Sequence, residues 1–272
     1  MGRKLLNDLP PKEVDLKDAT TLEEAIKRIY TITRRLRREC PWDREQTFDS
    51  IRHLTIEEVF ELSDAIIKKD WEAIQEELGD VLLHVMFYSV MGEEQEKFNI
   101  VDVINKLSNK LIERHPHVYG NLTVENATQV KQNWEKIKNK KSERKSVLDG
   151  VPNSMPSLIK AYRLQEKAAQ YGFDWNNISN VKEKVKEELK ELEKAETQEE
   201  KEKEFGDLLF ALVNYARHMG INPDTALELA NKKFKQRFQK IEEEAKKRNV
   251  SLEQMTLEEM DQVWNKAKES ER

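Results

Sequence analysis

An internal repeat constrains the fold of this chain more than any other feature of its sequence. Four short blocks occur twice, in the same order in both halves. The blocks are Glu-Glu-x-x-Glu at 57–61 (in the second copy, positions 187–191), Glu-x-x-Asp at 77–80 and 204–207, Lys-x-x-x-Arg at 110–114 and 233–237, and Trp-x-x-x-Lys at 134–138 and 264–268. This shared order indicates two tandem copies of one supersecondary unit.

Each copy is expected to be helical. Charged residues make up 36% of the chain, which contains only 8 Gly and 7 Pro, a composition typical of long helices. Apolar residues recur with helical spacing, and no window alternates for long enough to predict a strand. Thr55 and Thr256 are the predicted N-caps of two helices. The predicted helices are 22–39, 56–69, 71–94, 100–114, 126–140, 157–171, 181–195, 200–219, 223–248 and 257–269.

A stretch rich in helix breakers, at 142–156, separates the two copies. We therefore predict an all-α fold with two domains, 1–145 and 146–272. No apolar run approaches the roughly 20 residues of a membrane span, and no signal peptide opens the chain, so we expect a soluble cytoplasmic protein. The single cysteine, Cys40, excludes an internal disulfide and a cysteine-built zinc site. A net charge of −5 argues against a nucleic-acid partner.

The acidic blocks place carboxylates where they can converge. Residues three or four apart share a helical face, so Glu58 pairs with Glu61 on one helix and Glu77 with Asp80 on the next. The short turn at 68–71 predicts that these two helices pack antiparallel. Like charges in a partly dry seam require cations, and an all-oxygen set suits Mg²⁺ or, in its place, Mn²⁺. The second copy offers Glu188, Glu191, Glu204 and Asp207.

Either acidic block alone is also compatible with a solvated helix held by ion pairs. Two features favour a functional site. The first is a glycine within each helix, Gly79 and Gly206, where it costs about 1 kcal/mol relative to alanine and indicates a close approach by a helix or ligand. The second is the whole repeat, which chance composition does not explain. An inherited but inactive duplication in one half remains an alternative.

The later blocks supply positive charge and an aromatic ring. Lys233 and Arg237 lie one helical turn apart, as do Trp264 and Lys268. Such cations can hold phosphate oxygens, and the ring can stack on a base. The alternatives are a solvated helical face for the cations and core packing for the tryptophan. The first copy has the same residue types at Lys110, Arg114, Trp134 and Lys138.

Together with these blocks, several further segments resemble the MazG family of nucleoside triphosphate pyrophosphohydrolases. They are Cys40-Pro41-Trp42-Asp43, Glu45-Gln46-Thr47-Phe48, Arg114-His115-Pro116-His117-Val118, Gln165-Glu166-Lys167-Ala168, Gly172-Phe173-Asp174-Trp175 and Val263-Trp264. The resemblance implies two MazG-type four-helix units whose bundles are completed by homodimerisation. It also implies Mg²⁺-dependent hydrolysis of many nucleoside triphosphates to monophosphate and pyrophosphate, with a role in nucleotide-pool cleaning or starvation signalling.

The resemblance assigns activity to the second unit, although nothing in the sequence disables the first. The metal ligands implied are Glu188, Glu191, Glu204 and Asp207, with Glu58, Glu61, Glu77 and Asp80 as a second candidate set. The nucleotide-binding residues implied are Lys184, Lys233, Arg237, Trp264 and Lys268, with Lys110, Arg114, Trp134 and Lys138 as their counterparts. A neighbouring carboxylate, Glu187 or Glu57, is the candidate to orient or deprotonate the attacking water.

Two other functions compete with hydrolysis. A di-metal bundle for redox chemistry favours Glu-x-x-His, but the third residue after Glu61 is Asp64 and after Glu191 is Lys194. A non-catalytic helical interaction module with a vestigial acidic site is the remaining alternative. A magnesium titration separates it from an enzyme, because a pure scaffold gains no metal-dependent activity and little specific stabilisation.

Overall fold

The fold is known from a computed structural model, which describes residues 9–140 and 146–270. Every regular element in these two ranges is a helix, so the predicted all-α class is confirmed. None of the described helices is long and apolar enough to cross a membrane. The chain divides into two compact units, Met1–Ile137 and Lys138–Arg272, with a boundary slightly before the predicted one.

In the first unit, two long helices form a hairpin, and shorter helices surround it. Its helices are α1 (Lys12–Leu16), α2 (Leu22–Glu39), α3 (Pro41–Glu45), α4 (Phe48–Lys68), α5 (Trp71–Glu94), α6 (Ile100–Arg114), α7 (Pro116–Tyr119) and α8 (Ala127–Lys140), the last of which ends just beyond the boundary. Helices α4 and α5 pack against each other, and α2 packs on α5.

The second unit repeats this plan. Its helices are α9 (Ser157–Ala169), α10 (Ile178–Lys194), α11 (Gln198–His218), α12 (Pro223–Arg248) and α13 (Leu257–Ser270), with single 3₁₀ turns at Val147–Gly150 and Leu252–Gln254. Here α10 and α11 form the hairpin and α9 packs on α11, as α2 does on α5. Helix α12 packs against both α9 and α13.

The start of α4 corrects one prediction. Thr55 is not an N-cap, because the helix begins at Phe48 and its cap is Thr47. The Thr47 hydroxyl accepts from the Ser50 amide at 3.1 Å, and the Ser50 hydroxyl accepts from the Thr47 amide at 2.8 Å. This reciprocal pair satisfies two amides at the helix start. The predicted cap at Thr256 is confirmed, since its hydroxyl accepts from the Glu259 amide at 3.2 Å.

The turn between α4 and α5 is tight, as predicted. Lys69 has a positive φ of 58°, which ends α4 with a left-handed residue, and the Asp70 side chain accepts from the Ala73 amide at 3.2 Å to cap α5. The two helices run antiparallel, because Thr55 early in α4 contacts Tyr88 late in α5. The predicted helical hairpin is confirmed.

Each unit has its own apolar core. In the first unit, Ile51, Phe87 and Met91 are buried between α4 and α5. In the second unit, Ile241 and Ala245 of α12 are buried with Met255 before α13. Fully burying an apolar side chain of this size contributes about 1.5–3 kcal/mol. These clusters therefore hold the hairpin of the first unit and the α12–α13 pair of the second.

The hairpin helices also leave large apolar side chains exposed. On α5, Leu78 and Leu82 are exposed, and on α11 the same is true of Phe205 and Leu209. Apart from the adjacent residues and backbone of its own helix, no atom of the described residues lies within 4 Å of a Cβ placed on Gly79 or Gly206. The close approach predicted at these glycines is therefore not made within the described part of the chain.

Candidate functional site

The acids of the second unit converge between α10 and α11. Glu188, Glu191 and Glu204 each offer a carboxylate oxygen, and these three oxygens all lie within 4.8 Å of one another. Glu188 is buried, with 6% of its surface exposed, whereas Glu191 is exposed and Glu204 is half-buried. Asp207, predicted as the fourth ligand, lies one turn after Glu204 on α11 and is exposed.

Burial and mutual repulsion raise the pKa of Glu204. Burial is the largest cause, followed by the negative charges of Glu191, Asp207 and Glu188. Because the charge of Asp207 raises the pKa of Glu204, the Asp207 carboxylate interacts electrostatically with the clustered glutamates. A site of this kind binds a cation favourably, because the cation relieves repulsion that the protein otherwise carries.

The cluster fits Mg²⁺. Its donors are all carboxylate oxygens, which this ion prefers. Ligands at 2.0–2.1 Å from Mg²⁺ lie at most about 4.2 Å apart, so oxygens within 4.8 Å need only small side-chain rotations to share an ion. The same geometry suits Mn²⁺.

Lys184 lies at the edge of this cluster. Its ammonium group is 2.6 Å from Glu188 and 2.8 Å from Glu187. The hydrogen bond to Glu187 and then that to Glu188 raise the pKa of Lys184 above its ordinary value. This lysine therefore stays positively charged beside the acids, where it can exchange one carboxylate for a phosphate oxygen.

A cavity of about 510 Å³ adjoins the acids of the second unit. This volume is within the range of small-ligand sites. Glu188, Asp207 and Lys184 line the part of the cavity next to the acidic cluster. The rest of the lining comprises the aromatic residues Phe173, Trp175 and Phe210, the amides Gln165 and Asn214, the charged Asp174 and Arg217, and the apolar Leu148, Leu164, Ala168, Val181 and Ala211.

An ion-pair network fixes one wall of the cavity. Arg217 and His218 both contact the same oxygen of Asp174, at 2.5 and 2.9 Å. Burial alone raises the pKa of Asp174, but the hydrogen bonds from Arg217 and His218 outweigh it and hold the pKa below its ordinary value. Arg217 also donates to Oδ1 of Asn214 through Nε at 3.0 Å and Nη2 at 2.8 Å. Asn214 is thereby held in one orientation.

The first unit also assembles acids. Oxygens of Glu58, Glu77 and Asp80 lie within 4.8 Å of one another. Burial is the largest cause of a raised pKa at Glu58, and the charges of Asp80, Glu61 and Glu77 add to it. The pKa of Glu77 is raised by burial and then by Glu61 and Asp80. Three acids of each predicted set are thus brought together, whereas Glu61 and Asp207 lie outside these two groups of oxygens.

Packed side chains lie beside the first set. Thr55 hydrogen-bonds Nδ1 of His84 at 2.8 Å and the hydroxyl of Tyr88 at 2.7 Å. When the two units are aligned on their shared acids, His84 corresponds to Ala211 and Phe87 to Asn214. Several residues that line the cavity in the second unit have core residues as counterparts in the first. These counterparts include Ile51 for Val181, Leu54 for Lys184 and Leu83 for Phe210.

The predicted cations and tryptophans pair within each unit. The Arg237 guanidinium carbon is 5.4 Å from the ring centroid of Trp264, and that of Arg114 is 5.3 Å from the centroid of Trp134. Trp264 also packs on the core that contains Ile241. Lys233, Lys268 and Lys110 are exposed, and Lys138 is half-buried. Arg237 lines a groove between α12 and α13, separate from the cavity beside the acids.

Sequence reasoning missed part of this site. Gln165, Phe173 and Trp175 lie in segments that carry the family resemblance, yet they were not predicted to bind anything. Asn214 and Arg217 belong to no motif, so only the three-dimensional arrangement reveals them. The resemblance of the segments at 165–168 and 172–175 was the one sequence signal that pointed to this wall.

Both units match models of known protein families. The model of the MazG nucleotide pyrophosphohydrolase domain matches residues 46–119, and that of phosphoribosyl-ATP pyrophosphohydrolase matches residues 155–234. A nucleoside triphosphate pyrophosphohydrolase of Escherichia coli K12 is 40% identical over 257 residues, which cover 90% of this chain and 98% of that protein.

Two further relatives have a similar level of sequence identity to this chain. The nucleoside triphosphate pyrophosphohydrolase/pyrophosphatase MazG of Thermotoga maritima is 46% identical over 231 residues, covering 84% of this chain and 89% of the relative. The uncharacterized protein YabN of Bacillus subtilis is 44% identical over 272 residues, covering 97% of this chain and 55% of that protein. The repeated acidic hairpins and these identities confirm the predicted resemblance: the chain belongs to the MazG family of nucleoside triphosphate pyrophosphohydrolases, enzymes that hydrolyse an anhydride bond of a nucleoside triphosphate.

Proposed function

We propose that this protein hydrolyses nucleoside triphosphates between the α and β phosphates, releasing a nucleoside monophosphate and pyrophosphate, in a reaction that depends on Mg²⁺. The observation that carries this proposal is the junction of an acidic cluster, Glu188–Glu191–Glu204, with a cavity large enough for a nucleoside. Broad substrate range and a role in nucleotide-pool cleaning are part of the same proposal.

Four acids of the second unit would hold the metal: Glu188, Glu191, Glu204 and Asp207. When bound, Mg²⁺ neutralises charge on the triphosphate and lowers the pKa of a coordinated water. Mn²⁺ is the expected substitute, because it accepts the same oxygen ligands.

The chain's own side chains bind and orient the reactants. Lys184 exchanges its contact with Glu187 for a phosphate oxygen, which frees the Glu187 carboxylate to accept a proton from the attacking water. Lys233, Arg237 and Lys268 offset the charge of the pyrophosphate leaving group. Trp264 lies outside the cavity that would take the base; its ring contacts the Arg237 guanidinium at 5.4 Å and would position this cation for the phosphates of the nucleotide.

The second unit performs this reaction, on our proposal, and the first is mainly structural. The supporting contrast is that Ala211 and Asn214 line a cavity, whereas their counterparts His84 and Phe87 fill the corresponding space. A nucleoside has room beside the second acidic set, while entry beside the first would have to displace a packed core. Such displacement is costly because protein interiors are close-packed.

We further propose that the protein is a homodimer. Leu78 and Leu82 of α5, and Phe205 and Leu209 of α11, expose apolar surface on either side of Gly79 and Gly206. Glycine allows a neighbouring helix to approach closely, and a helical hairpin with a wide apolar face needs a further layer to cover it. A second copy of the chain would complete the four-helix bundles.

Product analysis tests the reaction. Purified protein with ATP and Mg²⁺ should release AMP and pyrophosphate, and excess EDTA should stop this release. Chromatography of the nucleotides distinguishes AMP from ADP, and a phosphate assay with and without added pyrophosphatase distinguishes pyrophosphate from orthophosphate. Release of ADP and orthophosphate would contradict the proposed bond cleavage, and full activity in EDTA would contradict the metal requirement.

A further inference from the structure

The cavity wall contains an amide oxygen that has no hydrogen-bond partner in the described part of the chain. Gln165 of α9 is buried, with 8% of its surface exposed, and it lines the cavity. Its Nε2 donates to the backbone carbonyl of Phe210 on α11 at 2.8 Å. Its Oε1 is buried and makes no hydrogen bond with residues 9–140 or 146–270. Buried polar atoms are nearly always hydrogen-bonded, so an acceptor left over in a residue that lines the cavity suits a ligand donor.

The orientation of this amide is determined by its contact. A backbone carbonyl only accepts hydrogen bonds, so the side-chain atom facing Phe210 has to be the nitrogen. The group of Gln165 that remains for a ligand is therefore an acceptor and not a donor. Asn214 has the opposite polarity toward a ligand. Arg217 donates two hydrogen bonds to its Oδ1, which leaves the Nδ2 amide as a hydrogen-bond donor.

The position of Gln165 suits the base of a bound nucleotide. Phe210 lies one turn beyond Asp207 on α11, and Asn214 lies about 10 Å beyond Asp207 at a rise of about 1.5 Å per residue. A triphosphate held by the acids would therefore direct its nucleoside toward these amides. Phe173, with 82% of its surface exposed, and Trp175, with 42%, line the same cavity and offer rings for stacking.

We propose that Oε1 of Gln165 accepts a hydrogen bond from an N–H group of the nucleobase. This inference rests on the proposed function and identifies a specificity-determining residue for it. Every natural base carries such a donor: an amino group in adenine and cytosine, an amino group and a ring N–H in guanine, and a ring N–H in uracil and thymine. One acceptor of this kind admits all of them and rejects a base that has no N–H.

Purine riboside 5′-triphosphate tests the contact, because its base is adenine without the amino group. For the wild-type protein we expect kcat/KM for this analogue to be about tenfold or more below that for ATP, mainly through KM, since a buried acceptor is left unpaired. In Gln165→Met, which has a similar shape but no acceptor, the two substrates should have nearly equal kcat/KM. The Phe210 carbonyl lies within helix α11, where it can still accept a backbone hydrogen bond, so the fold should tolerate the Gln165→Met change.

Gln170→Met is the matched control. Its Oε1, at the end of α9, is also buried and has no partner among the residues that the structure describes, but Gln170 does not line the cavity. This variant should keep the wild-type preference for ATP. Equal kcat/KM for the two substrates in the wild type, or an unchanged preference in folded Gln165→Met, would overturn the assignment.

Binding of the products separates this inference from the proposed function. Calorimetry with AMP and with purine riboside 5′-monophosphate, each with Mg²⁺, requires no turnover and can use the wild type alone if Gln165→Met does not fold. Tighter binding of AMP than of purine riboside 5′-monophosphate supports the base contact, whether or not the protein hydrolyses triphosphates. A failure to hydrolyse them would refute only the proposed reaction. Equal affinities, or no binding of either monophosphate, would refute the contact at Gln165.

Discussion

His84 and Ala211 occupy equivalent positions in the two units, each one turn after the aspartate of its acidic set, yet they have opposite effects on the space beside those acids. The His84 ring bonds Thr55 at 2.8 Å and packs near Tyr88, with ring centroids 6.3 Å apart. The small Ala211 side chain leaves a cavity of about 510 Å³. One large-to-small difference thus accompanies the change from a filled core to a ligand-sized space.

The first prediction concerns which unit is active. Glu188→Gln/Glu191→Gln should abolish pyrophosphate release, because it removes two charged ligands beside the cavity. Glu58→Gln/Glu61→Gln should leave most of the activity, because the corresponding space in the first unit is filled. Pyrophosphate release at saturating Mg²⁺ measures both variants, and circular dichroism checks that helicity is retained. Loss of activity in the first-unit variant alone would reverse the assignment.

The second prediction fills the cavity without touching an acid. Ala211→Leu should raise KM for ATP by about tenfold or more, because the added atoms occupy nucleoside space. The Mg²⁺-induced rise in Tm should persist, since all four acids remain. His84→Ala is the control in the first unit and should leave KM near the wild-type value. An unchanged KM in Ala211→Leu would show that the nucleoside binds elsewhere.

The third prediction concerns repulsion among the acids. Glu204→Gln should lower activity by orders of magnitude, yet in EDTA its Tm should equal or exceed that of the wild type, because the pKa of Glu204 is raised by burial and by neighbouring acids. An acid with a raised folded pKa favours unfolding when it is ionised. The advantage of Glu204→Gln in EDTA should therefore be present near pH 7 and shrink as the pH falls through the raised pKa of Glu204, because that carboxylate then becomes protonated.

Thermal unfolding in EDTA at several pH values checks this third prediction. Glu202→Gln, an exposed change on the same helix, is the control and should not alter Tm by a comparable amount. A clearly lower Tm for Glu204→Gln in EDTA at pH 7 would mean that the carboxylate makes stabilising contacts instead of repulsive ones.

Part of this structure could be predicted from the sequence. Helical periodicity and the repeat predicted the hairpins and the convergence of Glu58, Glu77 and Asp80, because spacing along a helix determines which face a residue occupies. The beginning of α4 was missed because its cap pairs Thr47 with Ser50, a variant of the usual Thr-x-x-Glu pattern.

The cavity could not be predicted in the same way. It depends on α9, which is distant in sequence from α11, and on Ala211 being small where the first unit has His84. Spacing within one helix carries no information on such contacts between helices. The orientation of Gln165, set by a backbone carbonyl of α11, is likewise visible only once the two helices are packed.

The fourth prediction concerns the wall of the cavity and its dependence on pH. Asp174→Asn should lower the free energy of unfolding by about 1 kcal/mol at pH 7, because it weakens the contacts with Arg217 and His218. The pKa of Asp174 is below its ordinary value of 3.8, so its stabilisation is present above that pH and is lost as the pH falls through the folded pKa.

Urea unfolding at pH 7 and at about pH 3 measures this difference between wild type and Asp174→Asn, which should narrow at the lower pH. Asp261→Asn, an exposed change on α13, is the matched control and should show little effect at either pH. A difference that stays constant over this range would show that the charge of Asp174 is not what stabilises the wall.

The last prediction concerns assembly. Light scattering at micromolar concentration should give about twice the 32.1 kDa mass of the chain, because the exposed apolar faces of α5 and α11 need a partner. Leu209→Glu places a charge on the exposed face of α11 and should shift the protein toward the monomer, whereas Leu16→Glu, at a highly exposed position on α1, should not. A mass near 32.1 kDa for the wild type would refute the homodimer. A dimer that is unaffected by Leu209→Glu would place the interface on another surface.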